Sequence, residues 1–190
     1  MILPILAYGH PNLRKIAEDI DKDYPALDKL LEDMYETMYA SNGVGLAAPQ
    51  INKSIRLFII DASPFADEVP ELEGYKKVFF NAQIVEESGK EWAFNEGCLS
   101  VPKINEDVKR KSKIRIHYYD ENWNYREDEF DGIVARIIQH EYDHLEGVLF
   151  VDRVSPLRKT MLKGKLTDIS RGKVDVDYRM IFPALKKGRR

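Results

Sequence analysis

Leu27, Leu30, Leu31, Met34 and Met38 recur at intervals of three and four residues, the spacing that gathers side chains on one face of an α-helix. The pattern predicts an amphipathic helix over 25–41, with Pro25 near its start and Ser41-Asn42-Gly43 ending it. Residues 55–61 and 77–86 are rich in β-branched and aromatic side chains and predict strands. Between them, 63–74 is acidic, holds Pro64 and Pro70, and reads as an exposed loop. Residues 113–119 and 125–130 flank a turn-like 120–124, which predicts a hairpin. A helix over 132–146 stopped by Gly147, a further helix from Pro156 to about Arg171 and a short strand near 173–179 complete the reading. Strands grouped about one helix, rather than alternating with many, predict an α+β fold of mostly antiparallel strands packed around a central helix.

Along that central helix, Ile133, Ile137, His140 and His144 follow i, i+4, i+7, i+11 and share one face. Val134, Ile138, Glu141 and Leu145 form the adjacent stripe, which would anchor the helix in the core. The two histidines, four apart, can hold one metal ion between their imidazoles, and Glu141 beside them suits proton transfer. A metal needs more than two ligands. The chain's single cysteine, Cys98, sits in Glu96-Gly97-Cys98-Leu99-Ser100, where Gly and Ser suggest an exposed turn. A lone cysteine is ordinarily a small buried hydrophobe, and paired histidines can be plain surface residues. Two His and one Cys together would leave a fourth position open for water, as catalytic rather than structural sites do. His10, before Pro11, reads as a turn residue, and His117 as a strand residue; both are taken as structural.

Length and charge narrow the class. At 190 residues and 44% hydrophobic content the chain suits one domain with an ample core. No stretch approaches a membrane span, and the start lacks the basic and apolar runs of a signal peptide. One cysteine permits no internal disulfide, which fits a reducing compartment, so a cytoplasmic location is expected. The net charge of −3 is uneven. Residues 1–152 carry 17 basic and 29 acidic side chains, whereas 153–190 carry 12 basic and 3 acidic, a balance of +9. Such a tail is either a solvated surface or a contact for an anionic partner.

Gly43-Val44-Gly45-Leu46-Ala47-Ala48-Pro49-Gln50, Glu96-Gly97-Cys98-Leu99-Ser100 and Gln139-His140-Glu141-Tyr142-Asp143-His144 resemble the three signature motifs of the peptide deformylases, in family order and spacing. The likeness extends over about residues 3–155, the expected catalytic unit, with 156–190 a basic helix and short strand of the same domain. The first motif is no phosphate cradle, because it lacks the Gly-Lys-Ser/Thr ending of a P-loop. The resemblance implies removal of the formyl group from the N-terminal formyl-methionine of new polypeptides. It implies that Cys98, His140 and His144 bind ferrous iron, with zinc, nickel or cobalt able to replace it. By the same likeness Glu141 moves the proton, while the Gln50 side chain and the Leu99 backbone N–H stabilise the oxyanion. Gly45 and Gly97 would meet the peptide, and Val44, Phe94, Ile133 and Ile137 would line the methionine pocket.

Two departures stand out. Arg136 occupies a place on the metal helix where related sequences often have a small or apolar residue, and 103–107 does not match closely enough to assign substrate contacts. The region past 156 supports no transfer of residue roles. The alternative reading is a zinc metalloprotease using the same helix. Its third ligand usually lies downstream, but position 150 is Phe and no Glu follows Glu146, which leaves only Asp152. A non-catalytic metal-binding or ribosome-associated module is a third reading, disfavoured by the retained Glu141 and Gln50. The expected partners are nascent formyl-methionyl peptides, with ribosome contact through the basic tail, no membrane, and a monomeric state.

Overall fold

The computed structural model describes residues 1–183; Lys186, Lys187, Arg189 and Arg190, the end of the basic tail, lie outside the described residues. Its elements run β1 (Ile5–Leu6), α1 (Leu27–Ala40), β2 (Gly45–Ala47), β3 (Leu57–Asp61), β4 (Lys76–Cys98), β5 (Val101–Tyr119), β6 (Tyr125–Asp131), α2 (Gly132–Leu145), α3 (Pro156–Ser170) and β7 (Met180–Ile181). Strands β2 to β6 form one antiparallel sheet in sequential order, and β1 pairs with β7 in parallel as a separate ribbon. The fold is α+β, as the pattern of elements predicts.

Every residue of β3 is buried, because the sheet is covered on both faces there. Phe58 and Ile60 pack with Val134, Ile137 and Ile138 of α2, whereas Leu57 and Ile59 pack with Leu30, Met34 and Met38 of α1. Alternate side chains of a strand point to opposite faces, so one short segment binds two helices. A third apolar cluster joins the tip of the β4–β5 hairpin to Leu149–Val151 and to Leu162, Leu166 and Ile169 of α3. Among the described residues no helix is long and apolar enough to cross a membrane.

Several boundaries differ from expectation for identifiable reasons. The strands expected over 77–86 and 113–119 are the ends of one long hairpin, which continues through Cys98 and starts its return at Val101. In β5 from Lys103 onward, Ile104, Glu106, Val108 and Arg110 are buried and their neighbours Lys103, Asn105, Asp107 and Lys109 are exposed. That is a clean strand alternation, masked in the sequence because two of its inward positions are charged. Glu106 is paired with Arg158 of α3 and Arg110 with Glu96, so both are satisfied inside. The strand expected over 173–179 is displaced to Met180–Ile181, where β1 supplies its partner. The loop over 63–74 holds two short 3₁₀ turns, Ser63–Phe65 and Pro70–Leu72, and buries Leu72.

Candidate metal centre and active site

Three separate pieces of backbone meet at one cleft. Strand β4 ends at Cys98, and a two-residue turn, Leu99-Ser100, leads into β5 with Cys98 paired to Val101. Gln50 comes from a 3₁₀ turn, Ala48–Ile51, whose Gln side chain folds back so that Oε1 accepts from the Ala47 N–H at 2.9 Å. That bond leaves Nε2 pointing at Cys98 Sγ, 3.6 Å away, and Ser100 Oγ, 3.4 Å away. Helix α2 is capped by Asp131, whose side chain accepts from the Gly132 N–H, and ends before Gly147 at φ +69°. A side chain at Gly147 would meet the Arg14 carbonyl at 2.7 Å, so glycine is required there twice over.

The His140 and His144 rings lie one helical turn apart with centroids separated by 5.3 Å. Cys98 Sγ stands 3.4 Å from His144 Nε2, and one donor atom each from Cys98, His140 and His144 lies within 4.8 Å of the other two. His144 is buried, whereas Cys98 and His140 are half-buried. Glu96 Oε2 lies 2.9 Å from His140 Nδ1. A carboxylate behind one ring nitrogen fixes the tautomer and leaves Nε2 free to ligate. The donor set itself fits a borderline-soft divalent metal, since a thiolate and two imidazoles are its usual protein ligands.

Glu141 is buried next to this trio, and its Oε2 has no hydrogen-bond partner among the described residues. Burial foremost pushes its carboxyl up to about 7, with the charges of Glu96 and Asp143 adding to the effect and His140 and Arg110 opposing it. Gly45 is packed directly on this carboxylate, so that a Cβ there would collide with it. An unpartnered buried carboxylic acid beside a cluster of metal donors is arranged to exchange a proton with something that occupies the cleft.

The cleft has a volume of about 510 Å³. Around it stand Val44, Gly45, Phe94, Gly97, Ile133 and Ile137, together with Gln50, Cys98, Leu99, His140 and Glu141. His144, buried behind the cleft lining, completes the donor trio. The stripe of Val134, Ile138 and Leu145 is buried in the core, but Glu141 on that stripe faces the cleft instead.

Sequence reasoning missed the support of this site. Glu96 binds Arg110 through two bonds of 2.7 and 2.9 Å, and Arg110 in turn reaches Asp143 at 2.8 Å. Asp143 also pairs with Arg153. Burial opposes ionisation of Glu96, but its bonds to Arg110 and His140 override that and hold the carboxyl well below the usual glutamate range. Arg136 belongs to the same network. Its guanidinium donates to Glu96 at 2.9 Å and to the carbonyls of Val108 and Trp92, and lies over the Trp92 ring at 4.5 Å. The alternation of β5 was the signal that could have exposed Arg110. The C-terminal stretch adds Val176, Asp177 and Tyr178 to the cleft, with the Tyr178 hydroxyl donating to the Leu99 carbonyl at 2.8 Å. No local pattern announces that contact. Asp152, the remaining downstream candidate for a ligand, pairs with Arg14 and accepts from the Leu149 N–H, while Phe150 stacks on His140.

Metal-assisted hydrolysis is what such a cleft equips a protein to do, since it combines ligands for a Lewis acid with a base and an apolar wall. The family model of polypeptide deformylase matches residues 2–160. A peptide deformylase of Christiangramia forsetii is 55% identical over the whole of both chains, and one of Flavobacterium johnsoniae 53% identical over the same extent. Among solved structures, the peptide deformylase of Legionella pneumophila superposes with a TM-score of 0.78 at 39% identity, covering 91% of this chain and 98% of that one. That of Thermotoga maritima gives 0.73 at 38% identity, covering 82% and 99%. The chain belongs to the polypeptide deformylase family. It is a metalloenzyme that removes the formyl group from the N terminus of newly made polypeptides.

Proposed function

We propose that Cys98, His140 and His144 hold one ferrous ion, replaceable by zinc, nickel or cobalt, and that deformylation takes place in the cleft beside it. The observation that carries this reading is the gathering of the three donors within 4.8 Å beside the unpartnered carboxylate of Glu141. A divalent ion there supplies Lewis acidity, which lowers the pKa of a water and polarises a formyl oxygen. Glu141 takes the proton of the attacking water and passes it to the leaving amine; its buried carboxylate, free of any hydrogen-bond partner at Oε2 among the described residues, is available for both transfers. The Gln50 amide and the Leu99 N–H face the oxygen on which negative charge develops. Each such donor is worth roughly 3–4 kcal/mol in other acyl-transfer enzymes. Val44, Phe94, Ile133 and Ile137 receive the methionine side chain, and Gly45 and Gly97 let backbone approach the peptide.

Residues 1–155 then form the catalytic unit, and the C-terminal region from 156, packed on it as far as Pro183, belongs to the same domain. The reading makes the enzyme a cytoplasmic monomer. Its basic stretch, including Lys159 and Lys163 of α3 and Arg171 at the helix end, contacts ribosomal RNA where formylated chains emerge. The test is formate release by the metal-loaded protein from formyl-Met and formyl-Ala peptides, alongside cleavage of an internal peptide bond. A buried thioether side chain contributes ~1.5–3 kcal/mol, so formyl-Met is favoured over formyl-Ala by roughly 10- to 100-fold in kcat/KM. Internal cleavage without formate release would support the metalloprotease instead, and equal rates on the two formyl peptides would return Ile133 and Ile137 to the core.

A further inference from the structure

The turn that carries Leu99 is tethered from both ends of the chain. The Ser100 carbonyl accepts from the Tyr8 N–H at 2.8 Å, and the Leu99 carbonyl accepts from the Tyr178 hydroxyl, also at 2.8 Å. Tyr8 lies two residues after β1 and Tyr178 two residues before β7. The two segments are themselves joined: the Ile5 N–H donates to the Arg179 carbonyl and the Ala7 N–H to the Ile181 carbonyl, each at 2.9 Å. Val174 and Met180, on either side of Tyr178, pack into the apolar cluster that holds Cys98 and Tyr8. The result is a clasp of N- and C-terminal backbone that grips successive peptide groups of the turn between the Cys98 ligand and β5.

We propose that Tyr178 is a positioning residue for deformylation, acting through the Leu99 carbonyl to hold the Leu99 N–H in line with the developing oxyanion. The inference rests on the oxyanion role given to Leu99 above. The Leu99 N–H and carbonyl belong to adjacent peptide planes hinged at one Cα, so a tether on the carbonyl restricts the swing of the whole turn. The other polar restraints on the turn fall on its neighbours, the Gln50 amide on Cys98 Sγ and the Ser100 hydroxyl and the Tyr8 N–H on the Ser100 carbonyl, so the Tyr178 bond is the one that reaches the Leu99 carbonyl among the described residues. Tyr178 is half-buried, and its hydroxyl is the donor of this bond because a carbonyl can only accept. Its side chain also lines the cleft, so it stands where bound peptide excludes water.

Tyr178→Phe removes one oxygen and keeps the ring. An oxyanion donor acts in the transition state, so its misalignment lowers kcat and leaves KM nearly alone. Deleting such a donor outright costs 10²- to 10³-fold; loosening it is expected to cost roughly 5- to 30-fold in kcat, expressed per bound metal, with KM within about twofold. The cobalt-substituted variant keeps the parent's thiolate-to-cobalt absorption band, because Cys98 stays in place. Amide exchange rises at Tyr8, whose N–H bonds to the Ser100 carbonyl, by more than at the amides of β3 and α1, and that difference reports local loosening of the turn even if the variant is less stable. An unchanged kcat per metal would overturn the proposal. So would a fall in activity that tracks metal loss or a uniform rise in exchange, either of which makes Tyr178 merely structural. A metal-loaded parent that releases no formate would instead refute the reading of the site on which the proposal rests.

Discussion

Helix α2 and the stretch between α3 and the end of β7 reach the same cleft by opposite means. In α2 the placement is local. Its 14 residues carry His140, Glu141 and His144 on a frame whose hydrogen bonds lie within the element, and a spacing of four fixes the distance between the two rings. The C-terminal stretch has no such frame. Tyr178 stands near the cleft because two residues of β7 pair with two of β1, and because Val174 and Met180 dock on an apolar cluster built from residues far away in sequence. Groups that must stand at ligand distance are borne on a rigid element, whereas a group that trims an angle is brought in by long-range contacts.

The comparison breaks hardest at α2. Glu141→Ala should leave metal content near that of the parent and lower kcat by at least ~10²-fold, the contribution general acid–base catalysis ordinarily supplies. Elemental analysis with steady-state kinetics checks both halves, and near-normal turnover in the metal-replete variant would move the proton to another group. Behind α2, Glu96→Gln keeps the shape of the side chain but removes the charge that braces His140 and pairs with Arg110. Metal affinity is expected to fall by ~10- to 100-fold, the usual effect of losing a partner behind a ligating imidazole. The same carboxylate leaves an acid signature. Its pKa is held below the ordinary 4.5, so its contribution is complete above that pH, begins to be lost as pH falls below it, and is gone once pH has passed the folded value. Chemical denaturation of the metal-free protein between pH 6 and 3 should therefore show a steeper loss of stability in the parent than in Glu96→Gln. Parallel curves would show that the Glu96 pairs contribute nothing to acid sensitivity. Tyr178→Phe is the mildest of the three.

The difference between the two regions is also a difference in legibility. The face shared by Ile133, Ile137, His140 and His144 is a consequence of helical period, which is why the central helix and its donors could be read from residue spacing. Cys98 was readable only as a motif, since the strand that delivers it is built from residues 87–97, mostly polar and unmarked by any apolar alternation. Arg110 and Arg136 were hidden for a related reason. Charged side chains read as surface, and these two are buried only because Glu96, Asp143 and two backbone carbonyls satisfy them. The clasp could not be read at all. A pairing of two residues with two residues some 175 positions away leaves no period in either segment.

The central claim is that Cys98, His140 and His144 converge on one metal ion, and the most direct test is metal stoichiometry combined with X-ray absorption at the metal edge. The account predicts about one ion per chain, with one sulfur and two imidazole nitrogens in its inner shell, and loss of the sulfur scatterer in Cys98→Ser. A metal-loaded protein whose ion shows no sulfur neighbour, or a chain that retains no ion when prepared without air, would contradict it.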